Sequence, residues 1–203
     1  MVKEKISVSK SSKGSAFERE ICKKLSLWWS KGKRDDIFWR TAGSGARATV
    51  RHKRGNKTYG QYGDIQATDP IGQKLVDVFS IELKRGYSGT SVADLLDQLD
   101  ASKPTAYEMF INQAEEDAKK AGTVTWLLIV KRNRRKALVF MSALSAFQLK
   151  HKGSAIRKSN PVFILNIHKR NGRIIKIFGT TLDNFLEQVE PLHIKRMHDM
   201  LVV

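Results

Sequence analysis

The chain has 203 residues, 41% hydrophobic and 28% charged, with 37 Lys and Arg against 20 Asp and Glu and a formal net charge of +17. That apolar content is too high for a disordered chain and sufficient for one sizeable core. A single cysteine, Cys22, excludes an intrachain disulfide framework and a Cys-rich zinc site, and the longest apolar runs (126–130 and 162–165) fall far short of the roughly 20 residues a membrane span needs.

Residues 1–12 read as a flexible basic arm. They lack the apolar stretch of a secretory signal, so an intracellular, cytoplasmic protein is expected. A helix is predicted from Ser15, where Ser15 and Glu18 resemble a capping box and Phe17, Ile21, Leu25 and Trp28 form one apolar stripe, with Gly32 closing it. Cys22 lies on this inward-packing helix and reads as inert. Residues 37–39 are a short strand candidate. A Gly-rich basic stretch follows, with a hairpin turn predicted at Arg54-Gly55-Asn56. Residues 64–68 and 75–84 are read as strands, separated by the turn Asp69-Pro70-Ile71-Gly72. In the second of these, Val76, Val78, Ser80, Glu82 and Lys84 would share a face.

Ser91 is expected to cap a short helix reaching Leu99, and a second amphipathic helix runs from Tyr107 to Lys120, closed by Gly122. Strands are predicted over 124–131 and 137–141 around the basic turn 131–136, which reads as solvated. A helix over 142–149, a polar linker over 151–160, a hairpin over 162–167 and 173–177, and two terminal helices complete the order. The five histidines (His52, His151, His168, His193 and His198) lack zinc spacing and read as surface residues. This order predicts an α/β fold, a central mixed β-sheet flanked by helices. The expected division is the arm 1–12, a core over 13–150 and a C-terminal hairpin-plus-helix extension over 151–203.

The charge is unevenly spread. Residues 1–60 carry a net +11, residues 61–120 a net −5 and residues 121–203 a net +11. Basic ends around an acidic middle suggest nucleic acid gripped by the ends, with carboxylates in between. Charge alone fits a small RNA-binding protein equally well.

The chemistry-bearing residues are Asp64, Glu82 and Lys84, with Glu18 on the first helix. Glu82 and Lys84 share a strand face, and ionised groups on so apolar a strand are costly unless paired or bound to an ion. Two carboxylates on neighbouring strands make a hard oxygen site suited to Mg²⁺, which keeps waters and accepts substrate phosphate. Taken by its spacing alone, the pattern is more often a solvated charge pair, and the apolar strand around it makes the two readings even; Glu18 also fits a helix-terminal carboxylate stabilised by the macrodipole.

Four segments in order add to this reading: Lys13-Gly14-Ser15-Ala16-Phe17-Glu18-Arg19-Glu20, Arg40-Thr41-Ala42-Gly43-Ser44, Asp64-Ile65-Gln66-Ala67 and Ile81-Glu82-Leu83-Lys84. Together they resemble the PD-(D/E)xK nuclease superfamily, and more narrowly the archaeal-type Holliday junction resolvases, over residues 13–140. The resemblance implies a restriction-endonuclease-like core and a Mg²⁺-dependent endodeoxyribonuclease, with Mn²⁺ able to substitute. It also implies a homodimer that cuts four-way DNA junctions symmetrically. It assigns catalysis to Glu18, Ser44, Asp64, Glu82 and Lys84, with metal on Glu18, Asp64 and Glu82.

Arg40 is a candidate phosphate contact, and Arg47, Arg51, Lys53, Arg54 and Lys57 a DNA-backbone clamp. Tyr59 and Tyr62 read as hairpin packing and Glu20 as a surface residue, while for Gln98, on the helix after the catalytic strand, the resemblance offers a supporting amide as the lesser alternative to a solvated helix residue. The segment between Ser44 and Asp64 is longer than the resemblance leads one to expect, and nothing after about residue 145 has a counterpart in it. Two rivals stay open: a restriction-type or phage DNA-processing nuclease acting on duplex or flap DNA, and a non-catalytic basic nucleic-acid-binding protein.

Overall fold

The computed structural model describes residues 10–41, 63–97, 103–151, 162–168 and 172–202. The arm 1–9, the basic segment with Ser44, Arg47, Arg51, Lys53, Arg54, Lys57, Tyr59 and Tyr62, Gln98, and the linker 152–161 lie outside the described residues.

Helix α1 spans Lys10–Trp29. Phe17, Ile21 and Leu25 are almost wholly buried, as the stripe requires, while Trp28 is half-buried and its neighbour Trp29 is in the core. Each such side chain contributes roughly 1.5–3 kcal/mol by leaving water. The helix starts five residues before the predicted Ser15, so Lys10–Ser12 belong to it rather than to an arm. Ser15 and Glu18 are therefore interior helical residues, not a capping box, and an end-of-helix role for Glu18 is excluded.

Strands β1 (Phe38–Arg40) and β2 (Ile65–Ala67) form a separate antiparallel ribbon in which Phe38 faces Ala67 and Arg40 faces Ile65. Ser26 ties α1 to this ribbon. Its hydroxyl donates to the Cys22 carbonyl at 2.8 Å and accepts from the Phe38 amide at 2.9 Å.

The strand predicted over 75–84 divides in two. Asp69 caps a 3-10 turn (Pro70–Gly72), its Oδ1 accepting from the Ile71 amide at 3.0 Å, and the turn runs into helix α2, Gln73–Val78. Pro70 pre-sets a helical φ at the first position, and Leu75 and Val78, three apart, bury one helical face. The strand, β3, begins only at Phe79 and ends at Arg85.

Helix α3 is described over Asp94–Asp97, its expected end at Leu99 lying outside the described residues, and α4 (Ala106–Ala121) follows. Thr105 caps α4 by accepting from the Glu108 amide at 3.1 Å, and Gly122 closes it in the left-handed conformation at φ 71°. Then come β4 (Thr125–Lys131), β5 (Leu138–Ser142), α5 (Ala143–His151), β6 (Val162–His168), β7 (Ile174–Thr181), α6 (Leu182–Gln188) and α7 (Pro191–Leu201).

Among the described residues the main sheet has five strands in the order β3-β4-β5-β7-β6. β3 and β4 are parallel, with Lys84 opposite Val130, and the remaining pairs are antiparallel. The C-terminal hairpin β6–β7 extends this sheet through β5. The α/β class and the mixed sheet flanked by helices are as the sequence predicts.

Two cores lie on opposite faces of the sheet. Phe79, Ile81 and Leu83 point into the one containing α1, α5, α6 and α7, while Leu128, Val130 and Phe140 point into the one under α4. His193 departs from the surface reading. It is buried at the start of α7, where its Nδ1 accepts from the Glu190 amide at 3.0 Å and completes a capping box. Among the described residues no helix is long and apolar enough to cross a membrane.

Candidate active site

β3 carries alternating chemistry because its two faces meet different neighbours. The odd-numbered Phe79, Ile81 and Leu83 join the core beneath α1, so Glu82 and Lys84 turn the other way, toward α4. Glu82 is only 4% exposed. Its Oε1 accepts from Lys84 Nζ at 2.6 Å and from Gln113 Nε2 at 2.8 Å, and Gln113 Oε1 accepts from Lys84 Nζ at 2.8 Å. The three side chains thus close a ring of hydrogen bonds. Two of the ammonium's three protons are placed within it.

Asp64 reaches the same strand edge by a backbone device. Gly63 has φ +76°, and a Cβ there would lie 2.8 Å from the Ile81 carbonyl oxygen, so only glycine lets the chain pass this close to β3. The Asp64 amide then donates to the Ile81 carbonyl at 2.7 Å, and its carboxylate accepts from the Leu83 amide at 2.7 Å. Asp64 is therefore fastened to the backbone on either side of Glu82. It docks onto β3 from the end of the small ribbon rather than from a neighbouring strand of the main sheet.

Burial, and then the Asp64 charge, push the Glu82 carboxyl up to about 7, against the opposing pull of Lys84. Asp117, one turn beyond Gln113 on α4, adds to the same push. Its own carboxyl is raised by burial while Lys120, a hydrogen bond to Gln113 and Lys84 hold it down.

Glu18 faces Arg40, its Oε2 3.3 Å from Nε. Arg40 precedes Thr41, whose amide donates to the Asp64 carbonyl at 2.9 Å. Glu18, Arg40 and Asp64 all act on the Cys22 thiol, which burial first of all drives up to about 12. Such a thiol is inert, as its helix position predicts. Glu20 is partly buried and pairs with Lys131 at 3.2 Å and with Lys24 at 3.6 Å.

The donor set suits a hard divalent cation. Asp64 and Glu82 offer carboxylate oxygens, and their mutual repulsion in a buried setting is what a cation would relieve. Among the described residues no group of three or more His, Cys, Asp or Glu converges closely enough to hold a metal.

Sequence reasoning missed Gln113 and Asp117. Their only sequence signal is a polar pair four apart on an amphipathic helix, which by itself reads as a solvated face.

Over residues 9–196 the chain matches the model of a family described as "Phage putative PDDEXK endonuclease". The chain belongs to this family. Its five-stranded mixed sheet with flanking helices is consistent with the PD-(D/E)xK fold. No curated protein and no solved structure matches the chain. Membership makes it a PD-(D/E)xK endonuclease with DNA as its implied substrate, of a group that typically uses divalent metal.

Proposed function

We propose that this endonuclease hydrolyses phosphodiesters in branched DNA, four-way junctions foremost, with Asp64 and Glu82 as metal ligands, Lys84 acting on the attacking water and Glu18 completing the site. The observation that carries this reading is a buried Glu82–Lys84 pair with Asp64 fastened beside it through the Leu83 amide. A divalent cation bound there would supply charge neutralisation at the scissile phosphate and acidify a water.

The chain's own groups do the rest. The Leu83 amide and the Ile81 carbonyl fix Asp64, so its carboxylate needs little reorganisation. Gln113 holds Glu82 and Lys84 in register. Lys84 keeps one proton beyond those it gives to Glu82 and Gln113, enough to orient a water or meet charge developing on phosphate oxygen. Arg40, poised on Glu18, is the cation for the flanking phosphate. Ser44 near the site and a clamp of Arg47, Arg51, Lys53, Arg54 and Lys57 are proposed on sequence grounds, as is a homodimer, since two opposed nicks require two sites.

The second reading keeps the chemistry and changes the substrate to duplex or flap DNA. It is favoured by the family description, which names a phage endonuclease and no junction.

Labelled four-way junctions, duplexes and flaps, each incubated with and without Mg²⁺, separate these readings. Paired symmetric nicks near the branch point are expected. Equal cutting of plain duplex favours the second reading, and binding without cutting under any divalent ion ends the catalytic one.

A further inference from the structure

The β4–β5 turn, solvated by its sequence, forms one wall of a hollow of about 160 Å³ lined by Tyr107, Val130, Arg132, Arg135, Lys136 and Leu138. That volume is far above the roughly 10–15 Å³ that admits one water. Among the described residues its lining is one-sided, with three cations and no carboxylate.

Tyr107 is 1% exposed, and its buried hydroxyl has no hydrogen-bond partner among the described residues. A buried hydroxyl left without a partner is unfavourable, and natural proteins rarely keep one unless something else meets it. The charged groups acting on that hydroxyl are Arg132 and Asp94. Arg132 is anchored by its Nη1, which donates to the Thr90 carbonyl at 3.3 Å. Lys136 faces the exposed Asp183 carboxylate, 4.0 Å away.

The hollow lies on the face of the sheet that carries Glu82 and Lys84. Val130 is the β4 partner of Lys84, and Leu138 is the β5 partner of Val130. Two strand spacings set the far wall roughly 10 Å from β3. Phe110 bridges the two places, with Lys84 Nζ 5.6 Å from its ring centroid and the Tyr107 ring 5.8 Å from it.

We propose that this hollow is a phosphate subsite, in which the Tyr107 hydroxyl donates a hydrogen bond to a DNA phosphate and Arg132, Arg135 and Lys136 neutralise it, while the scissile phosphate lies at Glu82 and Lys84. A phosphate fits because it is anionic, accepts several donors at once and matches the guanidinium fork. The placement beside Lys84 selects nucleic acid over a free ion, and this step rests on the endonuclease reading above. A backbone phosphate and a terminal phosphate share this chemistry.

The test is binding, measured by fluorescence anisotropy on the whole chain with Ca²⁺ and labelled duplexes. Tyr107→Phe is expected to weaken binding about tenfold, the order of a hydrogen bond to a charged group. Arg135→Gln is expected to lower the slope of log affinity against log salt by about one. Neutral methylphosphonates are placed singly along a strand. One position weakens wild-type binding and has no further effect in Tyr107→Phe if the occupant is a backbone phosphate. A 5′-phosphate that strengthens wild type but not the variant identifies a terminal one instead.

Without DNA, Tyr107→Phe should keep or raise the melting temperature, because it deletes an unpaired polar atom. A fall in melting temperature, or unchanged binding across the whole panel, overturns the subsite. Wild-type protein that binds but never cuts would sink the nuclease reading while leaving this readout intact.

Discussion

Two clusters of acids and bases in this molecule look alike in sequence and behave in opposite ways. Arg34, Asp36 and Asp69 form one: Arg34 Nε lies 2.9 Å from Asp36 and Nη1 2.6 Å from Asp69. Asp64, Glu82 and Lys84 form the other, with a Lys84–Glu82 contact of 2.6 Å. In the first, the Arg34 hydrogen bond lowers the Asp36 carboxyl, and the Ile71 amide followed by Arg34 lowers that of Asp69. In the second, burial and a neighbouring carboxylate outweigh an equally short ion pair, and Glu82 rises to about 7. Contact distance therefore does not decide which way a carboxylate is driven. Desolvation does, and it is the cluster held away from its preferred protonation that has work for a cation to do.

The largest expected effect tests that contrast directly. Asp64→Asn keeps an acceptor for the Leu83 amide but removes the charge beside Glu82. It should lower cleavage by about a thousandfold or more, the scale of losing a principal electrostatic element of a site, with DNA binding retained. Quantitative cleavage and anisotropy on one preparation check both halves. Normal cutting by this variant would overturn the site assignment.

The face alternation that creates this site was legible beforehand, because period-2 geometry is local and Glu82 and Lys84 stand two apart among apolar residues. The α1 stripe was legible for the same reason at helical period. The boundary at Val78 was not, since a short apolar run fits a buried strand and a buried helix turn alike. Asp69 and Pro70 decide it through a cap and a preset φ. The role of Gln113 was hidden for a different reason. Its partner Glu82 is 31 residues away and meets it only once α4 lies across the sheet. His193 reads as a surface residue in the sequence because nothing local announces that its ring caps α7.

Gln113→Ala gives an intermediate effect. It removes the amide that holds both Glu82 and Lys84 but touches neither charge directly. By analogy with groups that orient ligands from behind, a loss of about 10–100-fold in cleavage or metal affinity is expected. Isothermal titration with Mg²⁺, together with cleavage rates across Mg²⁺ concentrations, separates the two. A loss confined to DNA binding would remove Gln113 from the site.

The smallest effect is on stability, and it sets the two clusters against each other by sign. In metal-free protein, Glu82 has a folded pKa near 7 against an ordinary 4.5, so the folded state binds more protons across that window. Its contribution is fully present below pH 4.5 and is lost as pH rises toward 7. Asp69 is lowered from 3.8, so its contribution is present above that value and is lost as pH falls below it. Glu82→Gln should therefore flatten the decline in stability between pH 4.5 and 7, while Asp69→Asn, which keeps a capping oxygen, should leave that decline unchanged and blunt only the acid-side loss. Urea unfolding in EDTA, repeated from pH 3 to pH 8 for wild type and both variants, measures the slopes. If Glu82→Gln and wild type fall in parallel from pH 4.5 to 7, burial does not hold the Glu82 proton. The difference between the clusters would then be one of position alone.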